Sequence, residues 1–195
     1  MVHPQVHSRI RQRAGLRRVV DGVGQLGGRS DRDGRAGVSP LRAGKENSVK
    51  QCDEGREAVQ ALRALSDVER DLGQHDQALK LYEEAVAVCR AVDDPLLLAH
   101  TLRHLGQLHH DGARAEDAER CYLEALELYR GLDNAPPLDV ANAVRPLAIL
   151  KEDAGDAEAA MRLWEEALDL YEACGVQAGV DECSERLARL NSARA

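Results

Sequence analysis

Residues 78–85 read ALKLYEEA, residues 118–125 read AERCYLEA and residues 160–167 read AMRLWEEA. Each stretch opens on alanine, places an aromatic four residues later and a second alanine three after that. The three sets are Ala78, Tyr82 and Ala85; Ala118, Tyr122 and Ala125; Ala160, Trp164 and Ala167. Spacings of three and four put all three residues on one face of a helix. The pattern returns after 40 and then 42 residues, which makes it a repeat rather than an isolated amphipathic helix.

A second register runs in step with the first. Leu62 and Leu65, then Leu102, Leu105 and Gly106, then Val144, Leu147 and Ala148 precede the alanine–aromatic stretches at matching distances. Gly73, Gly112 and Gly155 stand between the two registers each time. Every unit is therefore expected to be a pair of helices joined by a tight turn. Small residues at fixed points let two helix backbones approach, and the aromatic fills the space beside them. One such pair cannot bury both of its faces, so the pairs must stack.

The punctuation sets the boundaries. From Ser48, the residues Val49, Cys52, Val59, Leu62, Leu65, Val68 and Leu72 mark one helical face. Helices follow over 74–92, to about His110, over 115–130, to about Ala154 and over 156–173, with a last amphipathic stretch over 180–190. Asp93-Asp94-Pro95 supplies a capping carboxylate and a proline where its missing N–H does no harm. Pro146 falls inside the fifth helix, where it removes a backbone bond and predicts either a kink or a shortened first turn. Residues 1–47, rich in Gly and Arg, lack a sustained apolar period and read as a disordered tail; residues 48–192 read as the folded domain. The arginines of the first twenty residues resemble those of a transit segment, but Gly15 interrupts them and Ser8 is the only hydroxyl residue there.

Composition agrees with helices. The chain has 195 residues with no Phe, one Trp and four Tyr, so Ala, Leu and Val must build the core. Residues 1–57 carry 12 Lys/Arg against 7 Asp/Glu, and residues 58–195 carry 14 against 27. An acidic folded part repels phosphate backbones, which argues against nucleic acid as its partner. No apolar run is long enough to cross a bilayer. Cys52, Cys89, Cys121, Cys174 and Cys183 form no C-x-x-C pair and suit a reducing, cytoplasmic setting.

These repeats resemble the tetratricopeptide family in its longer-helix variety, with a period near 42 similar to that of kinesin light chains. The resemblance covers roughly residues 59–173, with 180–190 in the place of a capping helix. It implies an all-α, right-handed superhelical α-solenoid of three helix hairpins. It also implies a concave wall, formed by the first helices, that holds a peptide or protein segment. The Asn that the longer variety often carries on that wall is replaced here by Ala64, His104 and Pro146.

In that register Arg63, Arg103 and Arg145 recur once per repeat on the wall, suited to forking onto carboxylates of an acidic partner. Gln60, Asp67, His100, His104, Gln107, His110, Asn142 and Glu152 are further lining candidates. His100 and His104, four apart, have the spacing of two metal ligands, but neither a third ligand nor an H-E-x-x-H motif accompanies them, so no metal is assigned. If His100, His104, His109 and His110 line the wall, their protonation near pH 6 would add positive charge to it. Nucleophile elbow, phosphate loop and dinucleotide fingerprint are all missing. The G-x-G-x-x-G run at Gly22, Gly24 and Gly27 lacks a strand–helix context. The expectation is a non-enzymatic interaction module without a cofactor. The alternative is a self-associating structural or regulatory module whose end faces make homo-oligomers.

Overall fold

The computed structural model describes residues 40–194, with side chains over 52–193. Among these residues the regular elements are seven helices: α1 (Pro40–Asp71), α2 (His75–Val92), α3 (Pro95–Asp111), α4 (Ala115–Arg130), α5 (Pro137–Asp153), α6 (Ala157–Cys174) and α7 (Gln177–Arg194). They pair as α1/α2, α3/α4 and α5/α6, and α7 lies against α6. The result is an all-α helical-repeat solenoid with a terminal helix.

Local chemistry fixes the helix ends. Asp94 accepts the backbone N–H of Leu97 at 3.0 Å, with Pro95 in the first turn, so the Asp-Pro signal marks the start of α3. Asp156 caps α6 in the same way through Ala159. α1 begins at Pro40, ahead of the boundary at residue 48 that composition suggests, so residues 40–47 belong to a helix and not to the tail. The remainder of the tail lies outside the described residues. α7 is longer than the expected 180–190, because Gly175 takes φ +68° and lets the next helix start at once. α5 continues through the buried Pro146 as one helix from Pro137 to Asp153.

All nine alanine–aromatic residues are buried, none more than 2% exposed. Ser66, Gly106 and Ala148 sit opposite them at matching points of the first helices, and each is small for a reason. The Ser66 hydroxyl donates to the Ala78 carbonyl at 2.8 Å, a distance that requires the two backbones to be close. A Cβ added to Gly106 would lie 2.6 Å from Tyr122 Cε1. Between hairpins, Arg90–Glu124 (2.7 Å) and Arg130–Glu166 (2.6 Å) repeat the same outer ion pair one unit apart. Such exposed pairs contribute at most about 1 kcal/mol each, so apolar packing carries the stacking.

A half-open cleft of about 370 Å³ lies between α2, α3 and α4, lined by Val86, Leu102, Leu105, His109 and Cys121 and by the charged Glu83, Arg90, Arg120 and Glu124.

The three turns between paired helices share a left-handed residue, but not all of them use glycine. Gly73 and Gly155 have φ of +74° and +77°; the matching residue in the second repeat is Ala113 at φ +56°, not the neighbouring Gly112. An L-residue with a Cβ pays about 1–2 kcal/mol there. Ala113→Gly is therefore expected to raise stability by about 1 kcal/mol after the loss of unfolded-chain restriction. Gly106→Ala, which drives a methyl into Tyr122, is expected to lower it by about 1–3 kcal/mol despite better helix propensity. Urea unfolding followed by helical circular dichroism measures both.

Candidate functional site: a guanidinium-lined inner wall

α3 and α5 touch directly, and the first helices α1, α3 and α5 form one side of the stack while α2, α4 and α6 form the other. Arg63, Arg103 and Arg145 each follow a buried aliphatic residue (Leu62, Leu102, Val144) and are themselves half-buried. The periodic core thus positions one guanidinium per repeat at the edge of the buried stripe.

The three do not share one environment. Arg145 forks onto Glu182 of α7, with Nε to Oε2 at 2.7 Å and Nη2 to Oε1 at 2.9 Å. The bidentate hydrogen bond holds the guanidinium firmly in its charged form. Arg103 has no carboxylate partner among the described residues; its Nη2 donates to Nε2 of His104 at 2.9 Å. A guanidinium can only donate, so that ring nitrogen accepts and His104 is the neutral Nδ1–H tautomer. Arg63 likewise has no carboxylate partner among the described residues, and its charge reaches His100, His104 and Tyr82.

Three of the histidines favour the neutral ring. Burial first, then Arg103 and Arg63, push His104 down to about 3. His104 also stacks on Tyr82, ring centroids 6.1 Å apart. Burial holds His100 below its ordinary value, against the pull of Asp139, whose Oδ2 lies 3.3 Å from its Nε2. His109 is lowered by burial as well and faces the packed interior at 8% exposure instead of lining the wall. The expected gain of positive charge near pH 6 is therefore not available from these three residues, because desolvation outweighs their carboxylate neighbours. His110 reaches Asp153 across the α3–α5 junction at 3.4 Å. No group of three or more metal-ligating residues occurs among the described residues.

The lower-ranked lining candidates have structural tasks. Asp67 accepts from the Tyr82 hydroxyl (3.3 Å), Gln107 from the Tyr122 hydroxyl (3.5 Å) and Glu152 from Trp164 Nε1 (3.2 Å). Each repeat thereby satisfies the polar end of its own buried aromatic with a first-helix side chain. Asn142 does the same for Tyr171 at 3.0 Å, and Gln60 stays exposed. Sequence reasoning missed Tyr129, Tyr171, Asp139 and Glu182. The signal for the tyrosines was present, since Tyr129 and Tyr171 each stand seven residues after the repeat aromatic.

Reactive chemistry is not evident. Burial pushes the Cys121 and Cys183 thiols up to about 11 and raises Cys89, so these sulfurs remain protonated. No helix among the described residues is long and apolar enough to cross a membrane.

Stacked hairpins of this kind define an all-α helical-repeat solenoid. More specifically, residues 57–131 match the tetratricopeptide repeat family profile, and the hairpin α5/α6 continues the same alanine–aromatic register beyond that stretch. Repeats of this family generally mediate protein–protein interaction. Among solved structures, BtubC (BKLC) from P. vanneervenii aligns with a TM-score of 0.55 at 19% identity, covering 80% of this chain and 75% of that one. MamA aligns over 82% of this chain and 98% of its own at 14% identity; its TM-score of 0.47 is too low to add to the comparison. These likenesses concern the fold alone. No match to a curated protein sequence is found.

The suppressed basicity of His104 has a measurable consequence. In the unfolded chain this ring takes up a proton near 6.5, in the folded chain only near 3, so acid favours unfolding across that interval. Stability is expected to fall as pH drops below about 6.5. His104→Gln, which keeps an acceptor for Arg103, is expected to reduce that fall. Urea midpoints of both proteins at about pH 7.5 and about pH 4.5 provide the comparison.

Proposed function

We propose that this protein is a non-enzymatic adaptor whose inner wall binds an acidic segment of a partner protein. One observation carries the reading. Three arginines recur on successive first helices, and the one with a carboxylate within reach, Arg145, grips it bidentately, whereas Arg63 and Arg103 have none among the described residues. The pair Arg145–Glu182 is an intramolecular precedent for what the other two guanidiniums are suited to hold. The strongly acidic remainder of residues 58–195 makes a cationic wall the exception on this surface, which favours a local, oriented contact over diffuse attraction. The buried, protonated thiols of Cys89, Cys121 and Cys183 support the non-enzymatic part, and five unpaired cysteines support a cytoplasmic setting.

Self-association is a second reading with its own support. Val68 near the end of α1 and Leu72 just past it are 53% and 52% exposed. Sedimentation of the wild type against Val68→Glu/Leu72→Glu tests it, and a monomer at every concentration rejects it.

For the leading reading, an array of short Asp/Glu-rich peptides is compared with the same peptides written in Asn/Gln. Acidic members are expected to bind and their amide counterparts not. Arg63→Glu and Arg103→Glu are each expected to weaken binding by roughly tenfold or more, with helical content unchanged. Equal binding of acidic and amide peptides rejects the reading.

A further inference from the structure

We propose that Arg103 and Tyr129, with Arg63 beside them, form a discrete receptor for one carboxylate at the centre of the inner wall. The proposal rests on the acidic-segment reading above and specifies where a single partner Asp or Glu side chain is held.

The argument starts from equivalent positions. Cys89, Tyr129 and Tyr171 each lie seven residues after their repeat's aromatic. Cys89 Sγ pairs with Thr101 Oγ1 at 3.5 Å, and the Tyr171 hydroxyl donates to Asn142 at 3.0 Å. Tyr129 is 0% exposed, yet its hydroxyl makes no well-formed hydrogen bond among the described residues, and only the Arg103 guanidinium lies near enough to act on it as a donor. The reason is the residue at the Asn142 position of this repeat, which is His100. It meets Tyr129 edge-on, ring centroids 5.7 Å apart, and offers the hydroxyl no acceptor. Beside it, Arg103 Nε is also buried without a partner, whereas the same atom of Arg145 is bonded to Glu182. In one repeat both demands are met internally; in the next, neither is.

The two unmet groups are both donors. Arg103 Nε–H cannot accept, and burial pushes the Tyr129 phenol up to about 12, so it keeps its proton. The phenol oxygen can accept from the neighbouring Arg103 guanidinium, so the Tyr129 O–H is the donor left without an acceptor, a cost that an acceptor from outside would remove. The local charge states what kind. Arg63 and Arg103 contribute two positive charges, Asp139 one negative, and His100 and His104 none, leaving a net +1. A monoanionic carboxylate balances that charge, whereas a dianionic phosphate overshoots it. The chain's own residues 1–39 carry eight Arg against three Asp and are therefore a poor occupant, and Glu182 is already committed to Arg145.

The test uses the full chain and two small probes: N-acetyl-glutamate amide, whose only charge is its side-chain carboxylate, and N-acetyl-phosphoserine amide. Binding is followed by NMR at the Arg103 Nε–H resonance. The glutamate probe is expected to shift that resonance saturably, with at least several-fold higher affinity than the phosphoserine probe. Tyr129→Phe is expected to weaken glutamate binding several-fold while leaving thermal stability unchanged or raised, since it deletes an unpaired hydroxyl. A merely structural Tyr129 would lose stability instead. The receptor is overturned by an unmoved Arg103 resonance, by phosphoserine binding more tightly, or by a destabilised Tyr129→Phe. If those results appear while acidic peptides still bind in an Arg63-dependent manner, the receptor fails and the wall reading stands. If acidic peptides do not bind at all yet the resonance shifts, the reverse holds.

Discussion

The nesting of an aromatic ring between paired alanines on one helix and a small residue on the next is the contact on which this structure depends. Ala78, Ala118 and Ala160 are fully buried, and Tyr82, Tyr122 and Trp164 occupy the volume they release. Because interiors are packed close to crystal density, the same small–large–small sequence can be satisfied only by one separation and one register of the two helices. Repetition of that register aligns everything else. The arginines fall in a row because the aliphatic residues before them are fixed in the core, and the outer Arg–Glu pairs recur for the same reason.

Burial of aromatics also creates an obligation, which the first helices discharge. A Tyr hydroxyl or Trp N–H cannot enter the core without a partner. Asp67, Gln107 and Glu152 are those partners, so residues that look like ligand contacts in sequence are in part consumed by the fold. The inner wall is accordingly a mixture of anchored groups and unanchored ones. What distinguishes the second repeat is that His100 stands at the Asn142 position and no carboxylate among the described residues bonds Arg103, which leaves Tyr129 and Arg103 with unspent hydrogen-bonding capacity.

The fold was legible because its signal is periodic. Hairpins, their order and even the limits of α4 could be read from alanine–aromatic spacing and turn residues. The misreadings have local causes. Gly112 looked like the turn residue, yet the left-handed conformation fell one residue later on Ala113, since neighbouring packing can outvote local preference. Pro146 looked disruptive, but α5 runs through it, held by burial on its neighbours. The wall was less legible. Periodicity located Arg63, Arg103 and Arg145, but not that Glu182 from the terminal helix occupies one of them, because partner choice across helices depends on three-dimensional register. Nor could the histidines' neutrality be read from spacing, since desolvation appears only once the residues are packed.

The terminal helix meets the body at an optically distinctive place. Arg186 of α7 lies over the Trp164 ring, 5.4 Å from guanidinium carbon to centroid, and both Arg186 and Arg189 bond Glu152, which itself receives the indole N–H. Trp164 is the sole tryptophan of the chain. The molecule thus contains a built-in fluorophore whose emission is governed by the seating of its last helix, and detachment of that helix can be watched without attaching any dye.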